Sequence, residues 1–539
     1  MSIFSKVSRS KIVSNTFKDL SYSNKYDAQV GFLYPVEVEE IVPGDIFFAG
    51  HGAMIRSQPM VTPVYHNFNY NVRYFFVPNR LVWDNFESFI TDQEKGKKDP
   101  GLVEPHVHPY LASKDYCNYL HDLMGVSPLD GENDITQLTM ADFVAADLPI
   151  DALPFRAYNL IWNEYFKDEN TMDDIPISKT DGADNDTYGL LRASWKKDYF
   201  TSALPFAQRG DPVQFIGNVY LDPDASGVNA SIYQAITGKG EAAWAADNTP
   251  VANTLGLATD SQGVTKMKVR KTAPSGSDYS GFANIDPNGT MKTAIPFSAI
   301  RRASALQRFL ERSALGGNRY AELLLAHFGV RSSDQSLQRP QYLGGGVVPI
   351  NVSPVEQTSG TTETSPQGNL AGKGVGVGSI YFNKPTLFTE HGWLIGLAFI
   401  RPDADYCNGI RRQLIKRDRF DYFWPDFQNI GEQEVYNYEL FASSDGGDNM
   451  SPFGYQSRYA HYKWHGNEVH GEFRKSLRSW VAPREFRELP TLSKDFIACD
   501  LDISNNMAVS PEHYPPFMVE ALSVVNARRP MYYFNRGVL

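Results

Sequence analysis

Alternating apolar and polar residues predict β-strands in several parts of the chain. In residues 67–76, apolar side chains occupy every even position, and asparagine or arginine occupies most odd positions. This period of two predicts a strand with one face in the core, ending at Pro78. Residues 36–48 predict two strands joined by a Pro-Gly-Asp turn at 43–45. The continuous apolar run Trp393–Ile400 predicts a buried strand.

The segment from Ser298 to Gly346 carries the clearest helical pattern. Apolar residues recur there at steps of three and four, so they share one helix face. These residues are Ile300, Ala303, Leu306, Leu310 and Ala314. Ser298 is the expected N-cap, and glycines 316–317 are expected to end the helix.

A second short helix is predicted directly afterwards, with Asn318 as its cap and Gly329 as its end. Its apolar face comprises Ala321, Leu324, Leu325 and Phe328. Helical spacing also occurs in Val82–Ile90, which follows a predicted strand, and in the aromatic segment Ile150–Phe166. Helices are therefore expected to decorate a β core.

Two segments have a different composition. Residues 222–293 are dominated by small and polar side chains and are too long for a simple connection, so we expect a surface insertion with weak strands. Residues 352–378 are rich in Gly, Ser and Thr, and we expect a flexible surface loop there.

The charge of the chain is unevenly distributed. The formal net charge is −11, with 62 acidic and 51 basic residues, which disfavours a free-standing DNA-binding protein. Residues 1–30 nevertheless form a basic arm that includes Lys6, Arg9 and Lys11. No apolar run reaches the roughly 20 residues of a membrane helix, and the N-terminus has no secretory pattern, so no membrane insertion is expected.

Motifs for catalysis or metal binding are not found in the sequence. The three cysteines, Cys117, Cys407 and Cys499, give no disulfide or zinc pattern. Asp222 begins a calcium-like loop, but Tyr233 stands where that loop needs a glutamate. The histidine pairs do not reach a carboxylate or cysteine at metal spacing; they are His106 with His108 and His461 with His465. We therefore predict no catalytic residue, no metal and no cofactor.

One cationic cluster suggests nucleic-acid binding. Arg411, Arg412, Lys416, Arg417 and Arg419 surround a single acid, Asp418, and aromatic residues 422–424 follow at once. Basic residues beside aromatics can hold single strands through phosphate contacts and base stacking. The same composition also suits an ion-pair and packing patch between subunits, and the sequence leaves both interpretations open.

Long motifs in a fixed order make the chain resemble the major capsid protein of the Microviridae, in particular the gokushovirus-like branch of small icosahedral single-stranded-DNA phages. The motifs include FFVPNRLVWDNFESFI at 75–90, LPFRAYNLIWNEYF at 153–166, LQRFLERSALGGNRY at 306–320, DYFWPDFQNIGEQ at 421–433 and FGYQSRYAHYK at 453–463. The resemblance covers nearly the whole chain.

The resemblance implies a mainly β fold: an eight-stranded antiparallel jelly roll with long insertions and a few helices. Residues 31–539 would form a single jelly-roll domain after the arm 1–30, and the insertion at 222–293 would project near the three-fold axes. About sixty copies would form a T=1 icosahedral shell around a circular single-stranded DNA genome. The virion would be assembled in the bacterial host cytoplasm.

The expected partners are further copies of the chain, the DNA genome and a small basic DNA-packaging protein, with a scaffolding protein and a host receptor as further candidates. The nucleic-acid-facing candidates are Lys6, Arg9 and Lys11 of the arm and the cations of 411–419. The alternative is a secreted β-sandwich carbohydrate-binding protein or glycoside hydrolase, which aromatic residues, Asp-rich turns and Gly-rich loops would also suit.

Overall fold

The computed structural model describes most of the chain between residues 13 and 534. The ranges outside the described residues are 1–12, 19, 92–105, 127–138, 209–217, 222–254, 260–264, 272–278, 285–290, 295–296, 318, 362–365, 383, 445–447, 512 and 535–539. The chain forms two compact units, one comprising Met1–Arg209 with Arg312–Leu539 and the other comprising Gly210–Glu311.

The first unit contains sixteen strands among its described residues. They are β1 (Asn15–Phe17), β2 (Tyr22–Ala28), β3 (Tyr34–Ile41), β4 (Ile46–Ser57), β5 (Phe68–Pro78), β6 (Tyr110–Leu111), β7 (Ala183–Asp184), β13 (Gln341–Glu356), β14 (Leu370–Tyr381), β15 (Thr386–Leu387), β16 (Gly392–Pro402), β17 (Asp405–Tyr406), β18 (Glu432–Tyr436), β19 (Pro452–Ser457), β20 (Asn467–Glu468) and β21 (Phe517–Arg529). The strands of the second unit are β8 (Asn218–Leu221), β9 (Leu255–Thr259), β10 (Thr265–Lys271), β11 (Tyr279–Asn284) and β12 (Met291–Ala294).

Helices are few and mostly short. They are α1 (Phe86–Thr91), α2 (Tyr119–Leu123), α3 (Met140–Ala145), α4 (Leu153–Ile161), α5 (Phe297–Gly316), α6 (Tyr320–Phe328), α7 (Asn437–Leu440) and α8 (Lys494–Ile497). Helix α4 continues into a π-helical turn at Trp162–Phe166. Within the described residues, no helix combines the length and the apolar composition needed to cross a membrane.

One large curled antiparallel sheet organises the first unit. Its strand order is β1-β21-β4-β14-β13-β5-β16-β3, with β2 also paired to β21 and β15 to β4. Strand β13 joins two halves, because residues 341–350 pair with β5 and residues 351–356 pair with β14. The expected mainly β jelly roll with few helices is thus confirmed, but the expected eight strands are not, since this sheet contains ten.

Strand β5 separates two apolar clusters. Its even-numbered residues, such as Tyr70 and Tyr74, pack into the cluster shared by both halves of the sheet. Its odd-numbered residues Phe75 and Val77 pack into a second cluster that includes Phe155 of α4. The prediction that only one face of this strand is buried was wrong, because α4 and its neighbours cover the other face.

A buried ion pair fixes α4 beside the sheet. Pro154 lies in the first turn, where a missing N–H costs no helical hydrogen bond. The guanidinium Nε of Arg156 lies 2.7 Å from Asp184 Oδ2, and both side chains are fully buried. Arg156 also donates to the Val82 and Thr180 carbonyls at 3.2 Å. This cation is therefore satisfied on several sides, as a buried charge requires.

The glycine-rich segment expected to be a flexible loop is largely strand. Residues 352–356 end β13, residues 370–378 begin β14, and the two are paired. In this part of β14 the glycines point inward while lysine and valine point outward. A Cβ on Gly378 would lie 2.7 Å from Val348, and one on Gly374 would lie 3.1 Å from Ser57. The low sequence complexity of 372–378 therefore reflects a strand in which every second residue is a glycine packed closely against its neighbours.

Helices α5 and α6 follow the predicted spacing but not the predicted burial. Helix α5 begins at Phe297, so Ser298 lies inside the helix and is not its cap. Gly317 and Gly329 end α5 and α6 with φ of +95° and +69°, as expected. Asn318, the expected cap of α6, lies outside the described residues, and Glu322 accepts the Arg319 N–H at 3.1 Å instead.

Most large apolar side chains on these two helices remain exposed. On α5 these are Phe297, Ile300, Leu306 and Phe309; on α6 they are Tyr320, Leu325 and Phe328, followed by Val330. Phe328 is 70% exposed. The apolar faces predicted from sequence exist, but the described residues cover them only in part: Ala314 is buried and Leu310 and Leu324 are half-buried, whereas the larger side chains named above remain exposed.

The second unit consists mainly of small antiparallel sheets. Strands β9, β10 and β11 form a three-stranded sheet with β10 in the centre, and β8 pairs with β12. The whole segment 222–293, expected to be a surface insertion, lies in this unit.

Candidate nucleic-acid interface

The cationic cluster lies in a long connection between β17 and β18. We name residues 411–424 the arginine–aromatic segment. Two short 3₁₀ turns, Arg412–Leu414 and Arg419–Asp421, shape it. The Asp418 carboxylate caps the second turn by accepting the backbone N–H groups of Phe420 and Asp421 at 2.7 and 3.2 Å. The single acid within the cluster is thus used locally to fold the segment.

Two of the five predicted cations are held in ion pairs. Arg411 forms a two-pronged contact with Glu468, with Nε and Nη2 each 2.6 Å from a carboxylate oxygen. The hydrogen bond from Arg411, opposed by partial burial, lowers the pKa of Glu468. Arg412 lies 3.1 Å from Glu439 and also donates to the Glu434 carbonyl. Arg412 is mostly buried, so its role is structural as well as electrostatic.

The other three cations stand among aromatic rings. Lys416 Nζ donates to the Asp421 carbonyl at 2.7 Å and lies 5.1 Å from the ring centre of Tyr422. Arg417 is largely exposed, and its Nε is 4.0 Å from Asp421, at the limit of an ion pair. Arg419 is exposed, and its guanidinium lies 4.8 Å from the Phe420 ring.

A set of exposed rings accompanies these cations. Between 45% and 56% of the surface of each ring-bearing residue is exposed; the residues are Phe420, Tyr422, Phe423 and Trp424. The Trp424 indole donates to the Arg419 carbonyl at 2.7 Å, which fixes the ring beside the cation. Exposed aromatics interleaved with cations form a surface on which bases can stack and phosphates can be held.

Sequence reasoning missed the residues that support this surface. Tyr459 accepts the Trp424 backbone N–H at 3.2 Å, and Tyr462 contacts Lys416 Nζ at 3.3 Å. Glu468 and Glu439 hold the two paired arginines. These four residues lie 27 to 57 positions from their partners. Only the clustering of tyrosines in the motif at 453–463 marked part of that region.

The N-terminal candidates Lys6, Arg9 and Lys11 lie outside the described residues. In β1, the first described strand, Asn15 pairs with Arg529 and Thr16 with Arg528 of β21. Arg528 is exposed. Arg529 lies 3.5 Å from Asp45. The described part of the arm thus pairs with β21 and belongs to the large sheet.

The histidine pairs do not converge on shared ligands. His106 Nδ1 is 2.7 Å from Asp181, while His108 Nε2 is 3.9 Å from Asp151. His461 lies in a 3₁₀ turn and His465 in the loop after it, so the helix that would have paired them does not form. Within the described part of the chain, no group of three potential metal-ligating side chains is assembled.

Comparison with known proteins gives consistent matches over nearly the whole chain. A family model described as "Capsid protein (F protein)" matches residues 5–538. The capsid protein VP1 of Bdellovibrio phage phiMH2K is 34% identical, covering 95% of this chain and 93% of the relative. VP1 of Chlamydia phage 1 is 32% identical, covering 98% and 96%. VP1 of Spiroplasma virus 4 is 28% identical, covering 93% and 91%.

Proposed function

The chain belongs to the capsid protein (F protein) family, and from this premise we propose that about sixty copies close into a T=1 icosahedral shell around a circular single-stranded DNA genome. The chain is a structural major capsid protein and a component of the virion. The match over residues 5–538 is the observation that carries this proposal. It also favours the capsid over a carbohydrate-binding protein. A closed shell requires each copy to meet its neighbours through the same repeated contacts.

The exposed apolar face of α6 supports one of these contacts. Tyr320, Leu325 and Phe328 are all substantially exposed, although ordinary surface helices turn such residues inward. Aromatic residues are enriched at the centres of protein interfaces. We infer that a neighbouring copy covers this face in the shell.

The charge balance supports a local contact with DNA. Copies of net charge −11 repel a polyanion overall, so neutralisation has to come from particular cationic regions and from a small basic DNA-packaging protein. We propose that the basic arm and the arginine–aromatic segment face the interior of the shell. Both acids of that segment are used in its own fold: Asp418 caps a turn, and Asp421 accepts the Arg417 N–H. Three of its cations remain beside aromatic rings.

The role of the arm is tested by replacing Lys6, Arg9 and Lys11 with alanine. The DNA content of purified particles should fall, while empty shells still form, because the substitutions remove only cations proposed to contact phosphates. Normal DNA content in these particles would exclude the arm.

The role of the segment is tested by the salt dependence of DNA binding. Replacing Arg417 and Arg419 with alanine should reduce the steepness of the negative slope of log binding constant against log salt by roughly 1.4, since each lost contact to single-stranded DNA contributes about 0.7. The matched control replaces two exposed arginines outside the segment, Arg331 and Arg487, and should leave the slope unchanged. Equal slopes in the two variants would show that the arginine–aromatic segment does not contact DNA.

The insertion at 222–293 is the proposed contact with the host receptor. Its polar composition suits a solvated projection. Particles with this segment deleted should assemble but fail to adsorb to host cells. Normal adsorption would place the receptor contact elsewhere on the subunit.

A further inference from the structure

A cavity of about 370 Å³ opens beside the arginine–aromatic segment. Its walls come from Glu439 and from three stretches of the first unit: residues 199–200, residues 406–414 and residues 461–474. The volume lies at the lower end of the roughly 300–1,000 Å³ typical of small-molecule sites. It is thus suited to a single small group.

Trp464 forms a fixed aromatic wall of this cavity. Its ring stacks on Tyr199 with centroids 5.4 Å apart and planes at 19°, and it meets Phe200 edge-on at 5.7 Å. A Cβ on Gly466 would lie 2.4 Å from the indole, so the following loop presses closely on the ring. The Tyr199 hydroxyl donates to Glu439 at 2.9 Å and holds the stack in place. The indole is therefore a rigid stacking surface.

The charged groups of the cavity favour an anionic ligand. Both acids in the wall are paired with arginines, Glu468 with Arg411 and Glu439 with Arg412. Arg474 also lines the cavity and forms no ion pair among the described residues; its Nε donates to the Val469 carbonyl at 2.6 Å. A third cation therefore remains beside two neutralised pairs, an arrangement suited to a phosphate.

The imidazole of His461 adds a polar group to the wall of this cavity. The residue is 8% exposed, and its side chain lines the cavity. Among the residues that the structure describes, its Nε2 has no hydrogen-bond partner. Burial lowers the pKa of His461 to about 4, assisted by Arg412 and Lys416. The imidazole is thus uncharged at neutral pH, and Nε2 can donate or accept one hydrogen bond according to its tautomer. A buried polar atom without a partner is a group that a bound ligand can satisfy.

We propose that this cavity binds one nucleotide of single-stranded DNA, with its base against Trp464 and His461 and its phosphate near Arg411 and Arg474. This inference rests on the proposed enclosure of DNA. A neutral sugar fits less well, because the two carboxylates that would bind its hydroxyls are occupied by arginines. The adjoining segment continues the same combination of cations and exposed rings.

The direct test is photo-crosslinking inside the virion. Particles whose genome carries 5-bromodeoxyuridine are irradiated, digested and analysed by mass spectrometry. We expect crosslinks in the peptide that contains Trp464 and His465. Two variants should reduce this crosslink at least tenfold relative to packaged DNA: Trp464→Leu, which removes the stacking surface, and Ile410→Trp, which fills the cavity from its wall while leaving every arginine in place. Tyr514→Leu, which changes an exposed aromatic outside the cavity, is the matched control.

Affinity is measured with the purified full-length chain, which also serves for variants that form no shells. The probes are a short oligothymidylate and thymidine 5′-monophosphate, with a neutral disaccharide as competitor. We expect both nucleotide probes to bind, Ile410→Trp to abolish monophosphate binding, and the disaccharide to displace neither probe. Binding of the oligonucleotide but not of the monophosphate by the wild type would overturn a self-sufficient nucleotide site.

The outcomes separate this inference from the proposed function. DNA-filled particles that lack a crosslink at 461–474, or an Ile410→Trp variant that keeps one, would overturn the nucleotide site while leaving the capsid proposal standing. Displacement by the disaccharide would assign the cavity to carbohydrate. If the particles never contain DNA, the proposed enclosure of a genome is wrong, and the nucleotide site that rests on it is wrong as well.

Discussion

Strand β5 and helix α6 both carry apolar residues at regular spacing, but the chain buries only those of the strand. Tyr70 and Tyr74 of β5 are almost completely enclosed, whereas Phe328 of α6 is 70% exposed. A periodic pattern identifies an apolar face, and it does not identify which partner covers that face. In a capsid subunit these two cases have different explanations. The apolar faces of the sheet are covered within one copy, and we propose that the apolar face of α6 is covered by the neighbouring copy.

The largest effect on folding is expected in the sheet. Leu394 of β16 is fully buried in the cluster shared by both halves. Leu394→Ala should lower the free energy of unfolding by about 2–5 kcal/mol, because it removes buried methyl groups and leaves a cavity. Chemical denaturation of the full chain measures this loss.

A matched surface substitution sharpens that result. Val377 of β14 is 71% exposed, so Val377→Ala should change the free energy of unfolding by less than about 0.5 kcal/mol. Equal destabilisation by the two substitutions would contradict the division between a buried sheet core and an exposed outer face.

A smaller, pH-dependent effect is expected from a carboxyl group buried in the same sheet. Burial, assisted by the nearby Glu39, raises the pKa of Glu37 to about 8, and the Tyr74 hydroxyl lies 3.3 Å away. Because this pKa is raised on folding, the folded state binds the extra proton, and stability falls as pH rises towards and through 8. His51 acts in the opposite sense at lower pH, since burial lowers its pKa to about 4 and its contribution is lost below about 6.5.

Between pH 6.5 and 8.5, the pH dependence of stability therefore contains the contribution of Glu37 but not that of His51. Denaturation midpoints of the wild type should fall across this window, and those of Glu37→Gln should fall much less. Glu520→Gln changes an exposed carboxylate on β21 and should retain the wild-type slope. A wild-type slope in Glu37→Gln would mean that this carboxyl group is already ionised in the folded protein.

The smallest effect on folding, and a large effect on assembly, is expected at α6. Phe328→Ser should leave the free energy of unfolding within about 0.5 kcal/mol of the wild type, because the side chain is already in solvent. Shell formation, measured by sedimentation, should be strongly reduced, and Phe328→Leu should retain it. Normal assembly of Phe328→Ser would show that this face is not a contact between copies.

Local sequence patterns predicted several strands and helix ends correctly, but they did not predict which other parts of the chain pack against them. The strand ending at Pro78, the strand at 393–400 and the helix ends at Gly317 and Gly329 all follow from side-chain periodicity and glycine geometry. The second buried face of β5 was not predictable, because α4, which covers it, lies about 80 residues further along the chain. The strand β14 was missed because its inward glycines were interpreted as flexibility.

The sequence predicted which cations and aromatic residues form the candidate interface, but not which of those cations are held in ion pairs. Five cations and the aromatic residues that follow them are adjacent in the chain, so the sequence alone identified them. The pairing of Arg411 with Glu468 and of Arg412 with Glu439 depends on contacts across 57 and 27 residues, whereas the other three cations interact mainly with nearby residues and rings. Such pairings are set by the tertiary fold, and no local pattern encodes them.

The most direct test of the account is electron microscopy of particles formed by the full-length chain, with icosahedral reconstruction and a count of subunits. The account predicts closed shells of sixty copies in which α6 of one copy lies against its neighbour and the arginine–aromatic segment lines the interior. A chain that remains monomeric under conditions in which phage particles mature, or shells in which that segment faces the outside solution, would contradict it.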